Sequence, residues 1–309
     1  MIVNIKRFKS FIPEFIWEYF RLRSILKSHS RVAAYWDKVI EEYECGCVEK
    51  SSLSAKKEFV NPEKIIWQYW GQGYAKEDVP DVVQYCFDSV DRYRGDYTVV
   101  RLCDEDFCEY VDLPDYVLKK YREGVFCKAH FSDLLRLALL NAYGGVWLDA
   151  TMLLTAPLEE MLLHNDWFMY QRDRNQEDKK HWRRTYAYYF SWNKNFKVRV
   201  LNSVIYAQKG SRVIEDLFQL LLLYWQVENQ ALDYFFFQIL FTQYIERYPD
   251  RNCPIVSDCL PNMLQMYFTG SYRRYSIPEI LKRISIHKLS YKTLTRDNLN
   301  LVLKDVSEN

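Results

Sequence analysis

The sequence predicts an α/β domain built on one mixed, mostly parallel sheet and preceded by a helical region over residues 1–60. Three observations predict it. Residues 1–60 carry helical patterning without strand signals. From Asn61 onward, short apolar strand candidates alternate with amphipathic segments in the order β-α-β-α-β. A Gly-Gly pair, Gly144-Gly145, separates the most regular of those segments from the strand that follows it.

The elements follow in order. In the helical region, Phe11, Ile12, Phe15, Ile16, Tyr19, Phe20 and Leu22 form an aromatic-rich stripe. Beside it stand Lys6, Arg7, Lys9, Arg21, Arg23 and Lys27, against only Glu14 and Glu18. Two readings stay open: an interfacial helix resting on anionic lipid, or a helix packed on the main domain with a solvated basic face. Residues 64–69 read as the first strand, 80–93 as a helix and 97–102 as a second strand. Residues 128–143 read as a long helix, with strands at 146–149 and 151–154. Beyond Pro157 the aromatic runs 167–171 and 186–192 are strand candidates. Helices are expected at 212–226 and 233–248, and an extended segment at 283–292. The division expected is 1–60 helical and 61–309 α/β, the latter in two halves, 61–155 and 156–309.

Composition narrows the function. Hydrophobic residues make up 49% and charged residues 27%, the balance of a soluble globular chain. The net charge of +1 provides no basic field for nucleic acid. The eight cysteines form no paired C-x-x-C sets, which argues against a zinc ribbon and for free thiols in a reducing cytosol. No uncharged run reaches the roughly 18 residues of a membrane span, and the opening basic stretch has no apolar core of a signal peptide. The location expected is cytoplasmic, with peripheral contact at the inner face of the membrane through residues 1–30.

The chemistry concentrates at Ala129-His-Phe-Ser-Asp-Leu-Leu-Arg136 and the run that ends Gly144-Gly-Val-Trp-Leu-Asp149-Ala-Thr151. On the helix, Phe131, Leu134, Leu135, Ala138, Leu139 and Ala142 repeat at the spacing of a buried stripe. Ser132, Asp133 and Arg136 fall together on the other face, within an arc of about 100°. Asp149 closes the next strand at its carboxyl end, where open α/β sheets bind ligands.

The pattern Ser-Asp-x-x-Arg, then Gly-Gly-x-x-x-Asp, resembles the signature of the capsular polysaccharide synthesis proteins. It is similar to glycosyltransferase family 32 and to the catalytic domains of clostridial glucosylating toxins. Lys64-Ile-Ile-Trp67-Gln68-Tyr-Trp70-Gly71 resembles their first strand, and the segments around Asp233 and His287-Lys288 fit less specifically. The resemblance runs from about residue 62 to 292. It implies a GT-A nucleotide-sugar-binding fold over 61–309, with 61–155 as the nucleotide-sugar half and 156–309 as the acceptor half. It also implies transfer of a hexose from a UDP-sugar to a growing, lipid-linked capsular or surface polysaccharide, with retention of configuration. By the same resemblance Trp67 and Gln68 would lie near the donor base and ribose. Ser132, Asp133 and Arg136 would hold the donor, His287 and Lys288 would approach its diphosphate, and Lys292 would join the donor-binding set. Asp149 and Asp233 would be the catalytic carboxylates, with Asp233 near the acceptor or the reacting carbon. Read from its neighbours alone, Asp233 is equally an N-terminal helix cap before an apolar run.

One departure stands out. The family's D-x-D reads Asp149-Ala150-Thr151 here. Charge count sets the affinity of a divalent cation site, and a hydroxyl in place of a carboxylate weakens it. Two arrangements remain: Mn2+ or Mg2+ bound through Asp149, the diphosphate, water and His287, or no metal, with Lys288, Lys292 or Arg136 neutralising the leaving group. The lost carboxylate also motivates a non-catalytic alternative, a nucleotide-sugar- or glycan-binding scaffold of a synthesis complex. A sugar-phosphate transferase is the further rival.

Overall fold

The computed structural model describes residues 14–46, 50–61, 64–75, 77 and 79–307. The elements are α1 (Glu14–Glu44), β1 (Ile65–Tyr69), α2 (Asp81–Tyr93), β2 (Thr98–Leu102), α3 (Asp115–Arg122), α4 (Lys128–Tyr143), β3 (Gly145–Leu148), β4 (Met152–Leu154) and α5 (Glu160–Leu163). They continue with β5 (Trp167–Gln171), α6 (Lys179–Thr185), β6 (Val200–Ala207), α7 (Arg212–Val227), α8 (Phe236–Arg247), α9 (Met263–Phe268), α10 (Ile277–Leu281), β7 (Ile286–Lys288) and α11 (Arg296–Ser307).

The main sheet has the order β2-β1-β3-β6-β5, and β4 pairs with β7 in a two-stranded sheet. Strands β2, β1 and β3 run parallel, whereas β6 is antiparallel to β3 and β5 antiparallel to β6. The sheet is therefore mixed and only half parallel. The two central parallel strands are buried along their whole length, all residues of β1 and β3, whereas the edge strand β2 opens with exposed Thr98. Such strands need unbroken apolar runs, which is what made 64–69 and 146–149 legible.

The Gly144-Gly145 pair is where the sequence turns most sharply. Gly144 has φ +79° and Gly145 φ +98°, a region that favours glycine. A Cβ on Gly145 would lie 2.5 Å from the Ile65 carbonyl oxygen, and one on Gly144 2.6 Å from the Lys209 amide. Only a residue without a side chain lets α4 feed directly into the central strand at that separation.

Helix α1 presents Ile25, His29, Val32, Ala33, Trp36, Val39 and Ile40 inward. It packs on α8 and α7 and shares the one large core with the sheet. Wholly buried Trp36 stacks on Phe236 and donates Nε1–H to the Phe236 carbonyl at 2.9 Å. The packed-helix reading thus describes the greater part of α1. Its first turns differ, leaving Phe15, Tyr19 and Phe20 exposed at 72%, 59% and 57%. The residues 1–13 that opened the expected interfacial stripe lie outside the described residues.

Two expectations are corrected. Residues 186–192 are not a strand, because the carbonyls of Tyr189 and Ser191 accept hydrogen bonds from the buried Arg172 guanidinium rather than from a strand ladder. The strand that pairs there is β6, passed over because Asn202-Ser203 interrupts its apolar run. The extended segment 283–292 contracts to the three residues of β7.

Truncating Trp36 removes a fully buried ring and one buried hydrogen bond. Trp36→Ala is expected to cost about 3–5 kcal/mol in urea or guanidinium unfolding. A loss under about 1 kcal/mol would show that α1 is not part of the cooperative core.

Candidate functional site

At the carboxyl end of the parallel strands lies a cleft of about 590 Å³, in the range that holds small-molecule ligands. Its inner wall is α4. Ser132, Asp133 and Arg136 all line it, and Asp149 faces them from the residue after β3. Arg136 ties the group together. Nη1 lies 2.9 Å from Asp133 Oδ1 and donates to the Asn202 carbonyl at 2.8 Å, while Nη2 reaches Ser132 Oγ at 2.8 Å and Asp149 Oδ1 at 3.2 Å. Trp147 Nε1 donates to the same Asp149 oxygen at 2.8 Å, and its ring lies under the guanidinium at 5.1 Å.

Lys288 enters from the opposite side. Its Nζ donates to Asp149 Oδ2 at 2.9 Å and to Thr151 Oγ1 at 2.8 Å. Burial alone would raise the Asp149 carboxyl, but the Lys288 ammonium and then the Arg136 guanidinium outweigh it and hold the group well below the usual carboxylate range. Asp133 goes the other way. Burial pushes it up to about 7, against the pull of Arg136, with the negative Asp149 adding to the rise. Two carboxyls flanking one arginine are thereby set far apart in acidity.

The structure brings together Ser132, Asp133, Arg136, Asp149, Lys288 and Lys292, and leaves four expected site residues elsewhere. Trp67 is wholly buried, with Nε1 on the Gly144 carbonyl and its ring against Tyr143 and Tyr110. Gln68, equally buried, accepts from Arg101. Their successors in the chain, Tyr69 to Gln72, reach the cleft instead. His287 is wholly buried beside Thr155, its Nε2 3.2 Å from that hydroxyl, because β7 sends alternate side chains to opposite faces and Lys288 takes the cleft side. Asp233 accepts from Ser28 of α1 at 2.7 Å and from the Phe235 amide at 3.0 Å, so it shapes a turn while Tyr234 and Phe235 line the cleft.

Sequence reasoning missed other residues. Asn202 donates to Asp133 Oδ1 at 2.7 Å and accepts from Gln238 at 3.1 Å. A polar Asn-Ser pair inside an otherwise apolar strand was the available signal. The outer wall is aromatic: Tyr186 stacks parallel to Tyr189 at 6.3 Å, and Trp70 meets Tyr291 edge to face at 5.4 Å. The Tyr189–Phe190 part of that wall is held by Arg172, bidentate to Asp258 at 2.9 and 2.8 Å. Among the described residues, no cluster of three or more His, Cys, Asp or Glu converges as a metal cage.

A family model described as capsular polysaccharide synthesis protein matches residues 16–305. The chain belongs to that family. The match takes in nearly all of α1, the sheet and both walls of the cleft. O-glycosyltransferase PaGT of Phomopsis amygdali is 29% identical over 119 residues, which are 36% of this chain and 29% of that protein. O-glycosyltransferase braB of Annulohypoxylon truncatum is 32% identical over 110 residues, 33% of this chain and 26% of that protein. The matches thus span less than a third of either curated relative. Among solved structures, PaToxG Glycosyltransferase aligns over 95% of this chain and 96% of its own, at 12% identity and a TM-score of 0.35.

Asp133 takes up its proton more readily folded than unfolded, so its contribution to stability is present at low pH and is lost as pH rises from its ordinary 3.8 toward about 7. Asp133→Asn removes that dependence. Relative to wild type, the variant is expected to gain on the order of 2 kcal/mol between about pH 4 and pH 7, read from urea midpoints across that window. Parallel pH profiles for the two proteins would contradict the assignment.

Proposed function

We propose that this protein is a glycosyltransferase of the GT-A type, moving a hexose-type sugar from a nucleoside-diphosphate donor, a UDP-sugar, to a lipid-linked capsular or surface polysaccharide. The observation that carries the reading is the Asp133–Arg136–Asp149–Lys288 network along one wall of an open cleft with aromatic rings along the other. Family membership and the named O-glycosyltransferase relatives support it.

The chemistry follows from the charges. The bond between the sugar's anomeric carbon and the diphosphate oxygen breaks, and its electron pair stays with that oxygen. The acceptor hydroxyl oxygen bonds to the same carbon and gives its proton to the departing diphosphate, on the face that retains configuration. Negative charge grows on the leaving group and positive charge on the ring. Lys288 and the rim residue Lys292 meet the first, positioned before the reaction begins. Asp133, Asn202 and Gln238 offer acceptors and donors to sugar hydroxyls, and Arg136 keeps Asp133 in place, which orients the donor for attack. The aromatic rings provide faces on which sugar rings stack. Asp149 draws Lys288 and Arg136 into position rather than attacking carbon itself.

The peripheral membrane reading rests on the first turns of α1. Exposed Phe15, Tyr19 and Phe20 stand beside Arg21, Arg23 and Lys27. No helix of the described residues is long and apolar enough to cross a membrane.

Purified protein given a panel of nucleotide-sugars and a lipid-linked glycan acceptor is expected to turn one donor over. Asp149→Asn should lower that turnover by about 100-fold or more with the fold retained. Donor binding without turnover in wild type would favour the scaffold alternative, and a phosphate in the product would identify a sugar-phosphate transferase. Replacing Phe15, Tyr19 and Phe20 together by Ser should cut co-sedimentation with vesicles containing phosphatidylglycerol by about tenfold. Unchanged sedimentation would dismiss the membrane contact.

A further inference from the structure

We infer that the ammonium of Lys288 takes the place of a divalent cation in this site, so that the protein grips a nucleoside diphosphate without metal. The inference rests on the reading of the cleft as a nucleotide-sugar site.

Three observations carry it. First, Nζ of Lys288 bonds both side chains that the D-x-D resemblance assigns to metal, Asp149 at 2.9 Å and Thr151 at 2.8 Å. The backbone fixes this placement on both sides. The Met152 amide donates to the Asp149 carbonyl at 2.9 Å and closes the 149–152 turn, while the Leu289 amide donates to the Thr151 carbonyl at 3.0 Å. Between these anchors Met152 pairs with Lys288 in the β4–β7 ladder.

Second, the donor set does not suit a hard divalent ion. Such an ion takes six or more oxygen ligands, commonly several carboxylates. Here Asp149 is the one carboxylate at the position, and its oxygens already receive Trp147, Arg136 and Lys288. Thr151 brings no charge. His287, the other expected ligand, is buried in the core on the far face of β7. A metal on Asp149 Oδ2 would stand within a few ångströms of a fixed ammonium and be repelled by it.

Third, the ammonium keeps capacity for a ligand. It has three donors, and Asp149 and Thr151 account for two. The side chain is 26% exposed and lines the cleft, with Lys292 four residues on at the rim. Two lysines on one side of a cleft match the charge of a diphosphate. The Thr151 hydroxyl is then a partner to Lys288, where an aspartate would pull the ammonium more deeply into a closed ion pair.

The test titrates the full chain with UDP, with GDP and ADP alongside, by calorimetry in chelator and in Mn2+, and titrates Mn2+ alone by electron paramagnetic resonance. One nucleotide is expected to bind with an affinity that differs by less than about twofold between chelator and Mn2+. Mn2+ alone should show no bound signal. Lys288→Ala should weaken the nucleotide about tenfold in chelator. The double variant Thr151→Asp with Lys288→Ala should bind Mn2+ and regain nucleotide affinity only in its presence. Wild-type binding that tightens about tenfold or more with Mn2+, or a Lys288→Ala protein that binds as wild type does in chelator, overturns the inference and leaves the glycosyltransferase reading standing. Failure of all three nucleotides to bind under both conditions overturns the two together.

Discussion

The Arg136 guanidinium is the interaction on which the rest of the site depends. Its side chain is 4% exposed, and a guanidinium stays charged at any pH a protein meets. A charge so placed needs opposite charge and acceptors around it, because the desolvation penalty for an unpaired ion is several kcal/mol. The partners it gathers come from three elements: Ser132 and Asp133 on α4, the Asn202 carbonyl on β6, and Asp149 after β3. Satisfying one buried cation therefore fixes the distance between a helix, the antiparallel strand and the end of the central parallel strand. The carboxyls at its two sides then diverge in acidity, since Lys288 supports only Asp149.

What was legible in the sequence is what local physics determines. The α4–Gly-Gly–β3 unit follows from helical spacing, a left-handed exit and an apolar run, all within about twenty residues, and it delivered Ser132, Asp133, Arg136 and Asp149 to one place. The failures at Trp67, Gln68 and His287 have two causes. On β7 a strand sends neighbours to opposite faces, so Lys288 faces the cleft while His287 faces the core. On β1 both faces are covered, so Trp67 and Gln68 are buried alike and the chain reaches the cleft only at the strand's carboxyl end, from Tyr69 and Trp70 onward. The segment 186–192 failed differently. Its aromatic content imitates a strand, but its carbonyls are claimed by Arg172, which is oriented by Asp258, 86 positions away in the chain. No window of sequence contains that pair. Asp233 likewise caps its own turn as a helix-start aspartate does, and its second partner, Ser28, is 205 residues distant.

Those long-range contacts give the N-terminal helix a role beyond added core. Along its inner face α1 holds the segment before and at the start of α8 at three points: Ser28 to Asp233, Arg31 to the Leu232 carbonyl, and Trp36 to the Phe236 carbonyl. Tyr234 and Phe235 lie between these anchors and line the cleft, and Gln238 follows them on α8. The helix thus sets one wall of the site from outside the sheet, although none of its own residues lines the cleft.

The same helix places that wall relative to whatever its exposed end touches. Phe20 and Ser28 are eight residues apart, which on an α-helix is roughly 12 Å. If Phe15, Tyr19 and Phe20 seat in a lipid interface, as proposed, a stiff rod fixes the aromatic wall at a set height above it. An acceptor glycan attached to lipid then has its reactive end delivered within a narrow range of heights, without any contact to the lipid from the cleft itself. Stiffness matters because orientation contributes to rate only if the spacing does not fluctuate. The buried stripe from Ile25 to Ile40 supplies it, anchoring the middle of the helix in the core so that the exposed first turns move with the aromatic wall and not independently of it.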